Sequence, residues 1–345
     1  MKNVDLAKLS EEELLKLRIR DLPLSIKGGW LQHRINQLYL ELEEKGIKFK
    51  PVFYLADEWL VPDNEPVIGI PFFLAHPALI KLERKNMFDA EGSNRSWCMQ
   101  LLRHETGHAL NYAYKLHKRK KWQKTFGPFS KEYSETYRFR PYSKSFVRHL
   151  EDYYAQYHPD EDFSETFAVW LTPGLDWRTQ YKGWKAILKL NYLESLINEI
   201  KDKEPLVKKG KRYWEASRMS TTLNNFYKKK RRFYAEDFPD FHDSNLKKIF
   251  ISFKKEEEPR PKRRRNLPLA SEIVKKYKKD ILNDVAKWTG EKKHIIGNLL
   301  DVIIARCRNL KLRVRDDEYL AILGISTYIT VLVMNYSYTG GFRKK

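Results

Sequence analysis

The run Arg103-His104-Glu105-Thr106-Gly107-His108-Ala109-Leu110 constrains this chain more than any other stretch. Two histidines four residues apart project from one face of a helix, so their imidazole nitrogens can converge on a single metal ion. Zinc is the natural ion for such a pair. Glu105, one step round the same turn, can reach a water at the metal and take its proton without being a ligand itself. The H-E-x-x-H grouping therefore predicts a metallopeptidase centre. Its flanks suit a buried helix: Leu101, Leu102, Ala109, Leu110 and Ala113 are apolar, and Ser93 or Asn94 can cap the start. Gly107 removes a side chain where another element can press close.

A catalytic zinc usually takes three protein ligands and leaves a fourth position open, so the motif needs one more. The run from His149 to Leu171 can supply it. Pro159 suits a first helical position and Pro173-Gly174 closes the segment, which predicts a helix over Pro159 to Leu171 with Glu161 and Glu165 on one face. Glu161, 53 residues after His108 and in the first turn, is the expected third ligand. Glu165, one turn on, is expected to hydrogen-bond a ligating histidine, although spacing alone leaves the two roles exchangeable. His149 and His158 are the competing ligands. Peptide hydrolysis also needs a neutral donor for the oxyanion. Tyr154, seven residues before Glu161, comes first, ahead of Tyr142, Tyr153 and Tyr157.

The elements before the motif can be read from capping and periodicity. Ser10-Glu11-Glu12-Glu13 has capping-box form and opens a short helix. Trp30, Leu31, Ile35, Leu38, Tyr39 and Leu42 fall at helical intervals before Gly46, which predicts an amphipathic helix. Phe49 to Leu55 and Pro66 to Leu74 have strand composition and are separated by the turn residues Pro62-Asp63-Asn64. Pro66 and Pro71 point to an edge strand, so Val67, Ile68, Gly69 and Ile70 are expected to bind an extended peptide through backbone hydrogen bonds. Ala78 to Met87 reads as a further helix, and Phe126 to Pro141 as a long active-site loop.

The chain has 345 residues, with 66 Lys and Arg against 45 Asp and Glu, a formal charge of +21 that favours anionic partners. The last 85 residues carry 19 basic and 8 acidic residues, so they hold +11 of that total. Lys254 to Arg265 is charged, contains proline and lacks apolar side chains, which marks a linker. The expected organisation is a catalytic domain over 1–250, a linker over 251–268 and a basic, mainly helical module over 269–345. That module is the expected site for nucleic acid or another anionic partner. Only Cys98 and Cys307 occur, without metal-ligand spacing, and the N-terminus lacks a secretory signal, so a cytoplasmic protein without a disulfide framework is expected. Tyr319 to Tyr338 is twenty residues without a charge, long enough to cross a bilayer. Its two Ser, two Thr, Asn and four Tyr favour a buried helix or strand over a membrane span.

Arg103-His104-Glu105-x-Gly107-His108-Ala109, together with Glu-x-Phe-x-Glu-x-Phe at Glu161 to Phe167, resembles the gluzincin metallopeptidases, in which the first Glu of the second helix is the ligand. Tyr54 to Trp59, Ile70 to Pro77, the motif helix and His158 to Leu171 resemble a bacterial family described as zinc-binding metallopeptidases of no known substrate. The likeness spans roughly Phe53 to Trp184. It implies an α+β fold with a zincin-like core, a small mixed sheet beside an active-site helix, and Zn2+ as cofactor. The expected activity is hydrolysis of a protein or peptide substrate, as an endopeptidase. Two other classes fit: a nucleic-acid-associated protein or nucleic-acid-activated protease, and a pseudoenzyme holding a partner in the groove.

Overall fold

The computed structural model describes residues 5–87, 90–133, 140, 142–234, 242–251, 267–314 and 317–339. The chain is mostly helical with one small sheet, and it divides into two compact units. The first holds most of the chain up to Asn225, and the second most of the chain from Phe226 onward.

In the first unit, α1 (Glu11–Lys16) starts at Ser10, whose hydroxyl accepts from Glu13 N–H while the Glu13 carboxylate accepts from Ser10 N–H. The chain after it pairs with 219–223 through an antiparallel bridge between Arg18 and Thr222. Helix α2 (Trp30–Glu44) buries Leu31, Ile35, Leu38 and Leu42, the stripe expected from its spacing.

Strands β1 (Val52–Ala56) and β2 (Val67–Pro71) form a two-stranded parallel sheet, with Val52 opposite Val67 and Ala56 opposite Pro71. The turn composition at Pro62-Asp63-Asn64 does not make a hairpin. The intervening chain crosses over, and Leu60 returns to pair antiparallel with Gly69 on the far side of β2. The expected open edge at Val67, Ile68, Gly69 and Ile70 is thereby corrected. Gly69 donates to Leu60 O at 2.8 Å and accepts from Leu60 N–H at 3.3 Å, and Val67 N–H is spent on Glu65 O. All four residues are buried, so an added strand would first have to displace Leu60. A Cβ at Gly69 would lie 2.5 Å from Leu60 Cδ2 and 2.8 Å from Ala56 Cβ, and the latter cannot rotate away, which is why this close pairing needs glycine.

Helix α3 (Pro77–Met87) leads to the long helix α4 (Arg95–Ala113), capped by Asn94 Oδ1 accepting from Trp97 N–H at 2.9 Å. From Cys98 to Ala113 only Gln100 of α4 escapes full burial. Its polar residues must therefore find partners inside the protein. Arg103 makes a two-pronged ion pair with Glu41 of α2, both bonds 2.8 Å, and Asn111 reaches Asp160. Helix α5 (Lys120–Phe126) follows, then α6 (Pro159–Leu171), buried along its entire length. Pro159 takes its first turn and His158 its cap. Packing of α4 on α6 is close because Gly107 has no side chain: a Cβ there would sit 2.7 Å from Ser164 Cα. Helices α7 (Trp177–Gln180) and α8 (Ala186–Ile200) complete the layer, with Lys189 of α8 paired to Asp162 at 2.6 Å.

The second unit corrects the expected domain boundary. Division falls within α9 (Leu223–Tyr234), not near residue 250. Leu246 of α10 (Asp243–Ile249) and Phe250 belong to the same core as α11 (Ala270–Lys276), α12 (Lys278–Thr289), α13 (Lys293–Asn309) and α14 (Glu318–Thr339). Most of the charged run expected as a linker, 252–266, lies outside the described residues. Its flanks do not behave as the ends of an interdomain linker: Ile251 and Leu269 both bridge Arg313. In α14 the residues Ala321, Ile325, Ile329, Leu332 and Val333 recur at helical spacing and are buried in this core. Among the described residues no helix is long and apolar enough to cross a membrane.

Candidate metal centre

Helices α4 and α6 bring His104, His108 and Glu161 to one point. His104 Nε2, His108 Nε2 and Glu161 Oε2 are each 3.1 Å from the other two. Both imidazoles are fixed from behind. His104 Nδ1 lies 2.8 Å from Glu165 Oε1, and His108 Nδ1 lies 2.8 Å from Asp160 Oδ2. Neutral imidazoles that donate Nδ1–H to those carboxylates turn their Nε2 lone pairs inward.

Three lone-pair atoms at 3.1 Å repel one another unless protons or a cation lie between them. Zinc bonds of 2.0–2.1 Å in tetrahedral geometry set a ligand-to-ligand edge of about 3.3–3.4 Å, close to the triangle observed. The residues present therefore fit a zinc ion in donor chemistry, in size and in their outward hydrogen bonds. Among the described residues this is the one group of at least three His, Cys, Asp or Glu side chains arranged to hold a metal.

The charges around the triangle favour protonated imidazoles beside ionised carboxylates. Burial opposes the charged form of His104, but its bonds to Glu161 and Glu165 prevail and raise its pKa to about 9. His108 likewise overcomes burial and rises well above the ordinary histidine value, beside Asp160 and Glu161. Glu161 is buried, which alone would raise its pKa, yet the two imidazoles hold it below the ordinary carboxylate value. Glu105 goes the other way: burial raises it, more than the histidines lower it.

The carboxylates behind the histidines are themselves supported. Glu165 Oε2 accepts from Leu150 N–H at 2.9 Å. Asp160 accepts from the Asn111 amide at 2.6 Å and the Tyr112 hydroxyl at 2.7 Å. Spacing does not single out Asp160, although its place beside Glu161 in the first helical turn is a usable signal. The outer oxygen of Glu161 accepts from Tyr133 Oη at 3.0 Å. Tyr133 lies flat on His158, with centroids 4.0 Å apart and planes 13° from parallel. It stands in the loop expected to border the site, but nothing in its spacing marked it among the other tyrosines.

Tyr154 is half-buried, its ring 5.7 Å from that of His104. Burial first, then Glu161 and Glu105, raise its pKa and keep the phenol protonated. Its neighbour Tyr153 has a positive φ of 56°, uncommon for a residue with a side chain. Tyr142 is 92% exposed and takes no part in this cluster. The competing ligands are also placed elsewhere. His149 Nε2 donates to Gln100 O at 3.0 Å, while His158 Nε2 donates to Lys131 O at 2.6 Å and its Nδ1 accepts from Asp160 N–H. Both histidines serve the backbone.

Compared with known proteins, the chain matches no family model, no curated protein and no solved structure.

Proposed function

We propose that this chain is a zinc-dependent metallopeptidase of zincin-like fold, with His104, His108 and Glu161 as the metal ligands. The carrying observation is the triangle of inward atoms, each edge 3.1 Å, with a carboxylate behind each imidazole. Zinc bound there supplies Lewis acidity, which activates water and polarises a peptide carbonyl.

The chain's own residues do the rest. Glu105 follows His104 on α4, and burial gives its carboxylate a raised affinity for protons. It takes a proton from the attacking water and passes it to the leaving amine. Tyr154 keeps its proton and donates to the oxygen that becomes negative. Glu165 and Asp160 hold the two imidazoles in one orientation and tautomer. Tyr133 bonds the outer oxygen of Glu161, leaving one oxygen turned inward. The substrate is a protein or peptide, since amide hydrolysis is what a base, a neutral donor and a three-ligand metal position together support. With the β2 edge occupied by Leu60, substrate is gripped elsewhere along the site.

Metal analysis of protein purified without added zinc tests the reading. About one zinc per chain is expected, lost in His104→Ala, His108→Ala and Glu161→Gln. Protein that folds but holds no zinc, even after incubation with it, would overturn the proposal.

A further inference from the structure

The segment Glu204 to Arg218, away from the metal ligands in sequence, carries a surface that the peptidase reading does not use. Trp214 is 63% exposed and Tyr213 43% exposed, whereas tryptophan is ordinarily among the more buried residues. Trp214 also has a positive φ of 49°, which a bulky side chain adopts only when its surroundings impose it.

Those surroundings are visible on both sides. Tyr213 N–H donates to Tyr54 Oη at 3.2 Å, and Tyr54 Oη donates to Tyr213 O at 3.1 Å. Tyr54 is itself buried in β1. Glu215 then bridges Ala56 at the end of the same strand, and Lys211 N–H donates to Glu65 Oε2 at 2.9 Å. Gly210 also lies close to β2: a Cβ there would crowd Val67 Cγ1 at 3.0 Å and the Pro66 nitrogen at 3.2 Å. The backbone is thus fastened to the sheet while two aromatic rings are left exposed, their centroids 6.0 Å apart and their planes inclined at 49°, so that each can take a separate base.

Cations flank these rings in the sequence. Lys208, Lys209, Lys211, Arg212 and Arg218 stand against Glu204 and Glu215, a net charge of +3 in 15 residues. Lys208 is paired with Glu204, and Arg212 and Arg218 share Glu215. Lys209 and Lys211 are exposed, and neither has a carboxylate within ion-pair distance among the described residues. Flat rings on a rigid backbone, interleaved with cations, match a polymer that offers flat bases and regularly spaced phosphates. A lipid headgroup layer also attracts cations and tryptophan, but it does not call for a backbone fastened beneath the rings. We propose that Tyr213 and Trp214 form a stacking platform for single-stranded nucleic acid, with Lys209 and Lys211 engaging its phosphates.

The test is anisotropy of a fluorescein-labelled oligothymidylate and a matching oligouridylate against the full chain, across a range of salt. Trp214→Ala should weaken binding about 5- to 150-fold, the range for loss of one stacked base, and leave the salt dependence unchanged. Lys209→Ala with Lys211→Ala should lower the slope of log affinity against log salt by about 1.4, at 0.7 per phosphate contact. Trp214→Gly controls for folding, because glycine accepts the positive φ: it should melt no lower than wild type yet bind as weakly as Trp214→Ala. Binding that ignores both Trp214 variants would be the general attraction of a +21 chain, and would overturn the proposal. No binding of either oligomer, or binding only to vesicles of anionic phospholipid, would overturn it equally.

Discussion

Replacing Gly107 with alanine tests how far the metal centre depends on the approach of two helices. The new Cβ would lie 2.7 Å from Ser164 Cα and 3.1 Å from its Cβ and Oγ. The nearest atom is backbone, so no rotamer change relieves the overlap. Ordinary contact begins at 3.4 Å, so α4 and α6 must part by about 0.7 Å at this point. Overpacking of this kind costs about 1–3 kcal/mol. Alanine offsets about 1 kcal/mol of that through its better helix propensity. The net destabilisation is about 0–2 kcal/mol, which lowers the thermal midpoint of chelator-treated protein by about 0–8 °C. The metal centre loses more. Gly107 is adjacent to His108, and ligand distances tolerate only about 0.2 Å of error. Zinc affinity, measured by competition with a chromogenic chelator, should fall about tenfold or more. A variant that binds zinc within about threefold of wild type would refute this reasoning, whatever its melting temperature.

Three other perturbations probe separate parts of the structure. Tyr133→Phe keeps the ring on His158 and removes only the bond to Glu161; zinc affinity should fall about 10- to 100-fold with no change in melting of the metal-free protein, as read by chelator competition and calorimetry. Arg103→Leu leaves the Glu41 carboxylate buried beside α4 and should cost about 3–5 kcal/mol in denaturant unfolding, whereas Arg103→Leu combined with Glu41→Leu should recover most of it. His242 is held neutral by burial, its pKa lowered to about 4. The unfolded chain takes up that proton near the ordinary value of 6.5, so the stability it contributes is present above pH 6.5 and is lost as pH falls toward 4. Thermal midpoints across that window should drop less in His242→Gln than in wild type.

The features legible in the sequence are those set by local periods. The histidine pair depends only on the helical repeat, and Glu161 on a helix whose start is marked by Pro159. Both could be placed without knowing what packs where. Asp160 and Tyr133 acquire their roles from tertiary approach, which no spacing encodes, and so they went unmarked. The sheet failed for a related reason. Proline and asparagine at 62–64 are compatible with a tight turn or a crossover, and it was Leu60, chosen by packing against Gly69, that took the second edge of β2. At the supposed linker, composition described the charged residues correctly but could not reveal that Leu246 and Phe250 before them share a core with Ile273 and Val274 after them. Nothing in the sequence marks Trp214, because exposure and a positive φ exist only in three dimensions.

The central claim is tested most directly by comparing the cleavage of a whole proteome by wild type and by Glu105→Gln, with both proteins loaded to the same zinc content. The substitution leaves His104, His108 and Glu161 in place and removes the base. The account predicts new peptide termini with wild type, absent with Glu105→Gln at equal zinc. Zinc-loaded wild type that generates no termini beyond those of Glu105→Gln would contradict it.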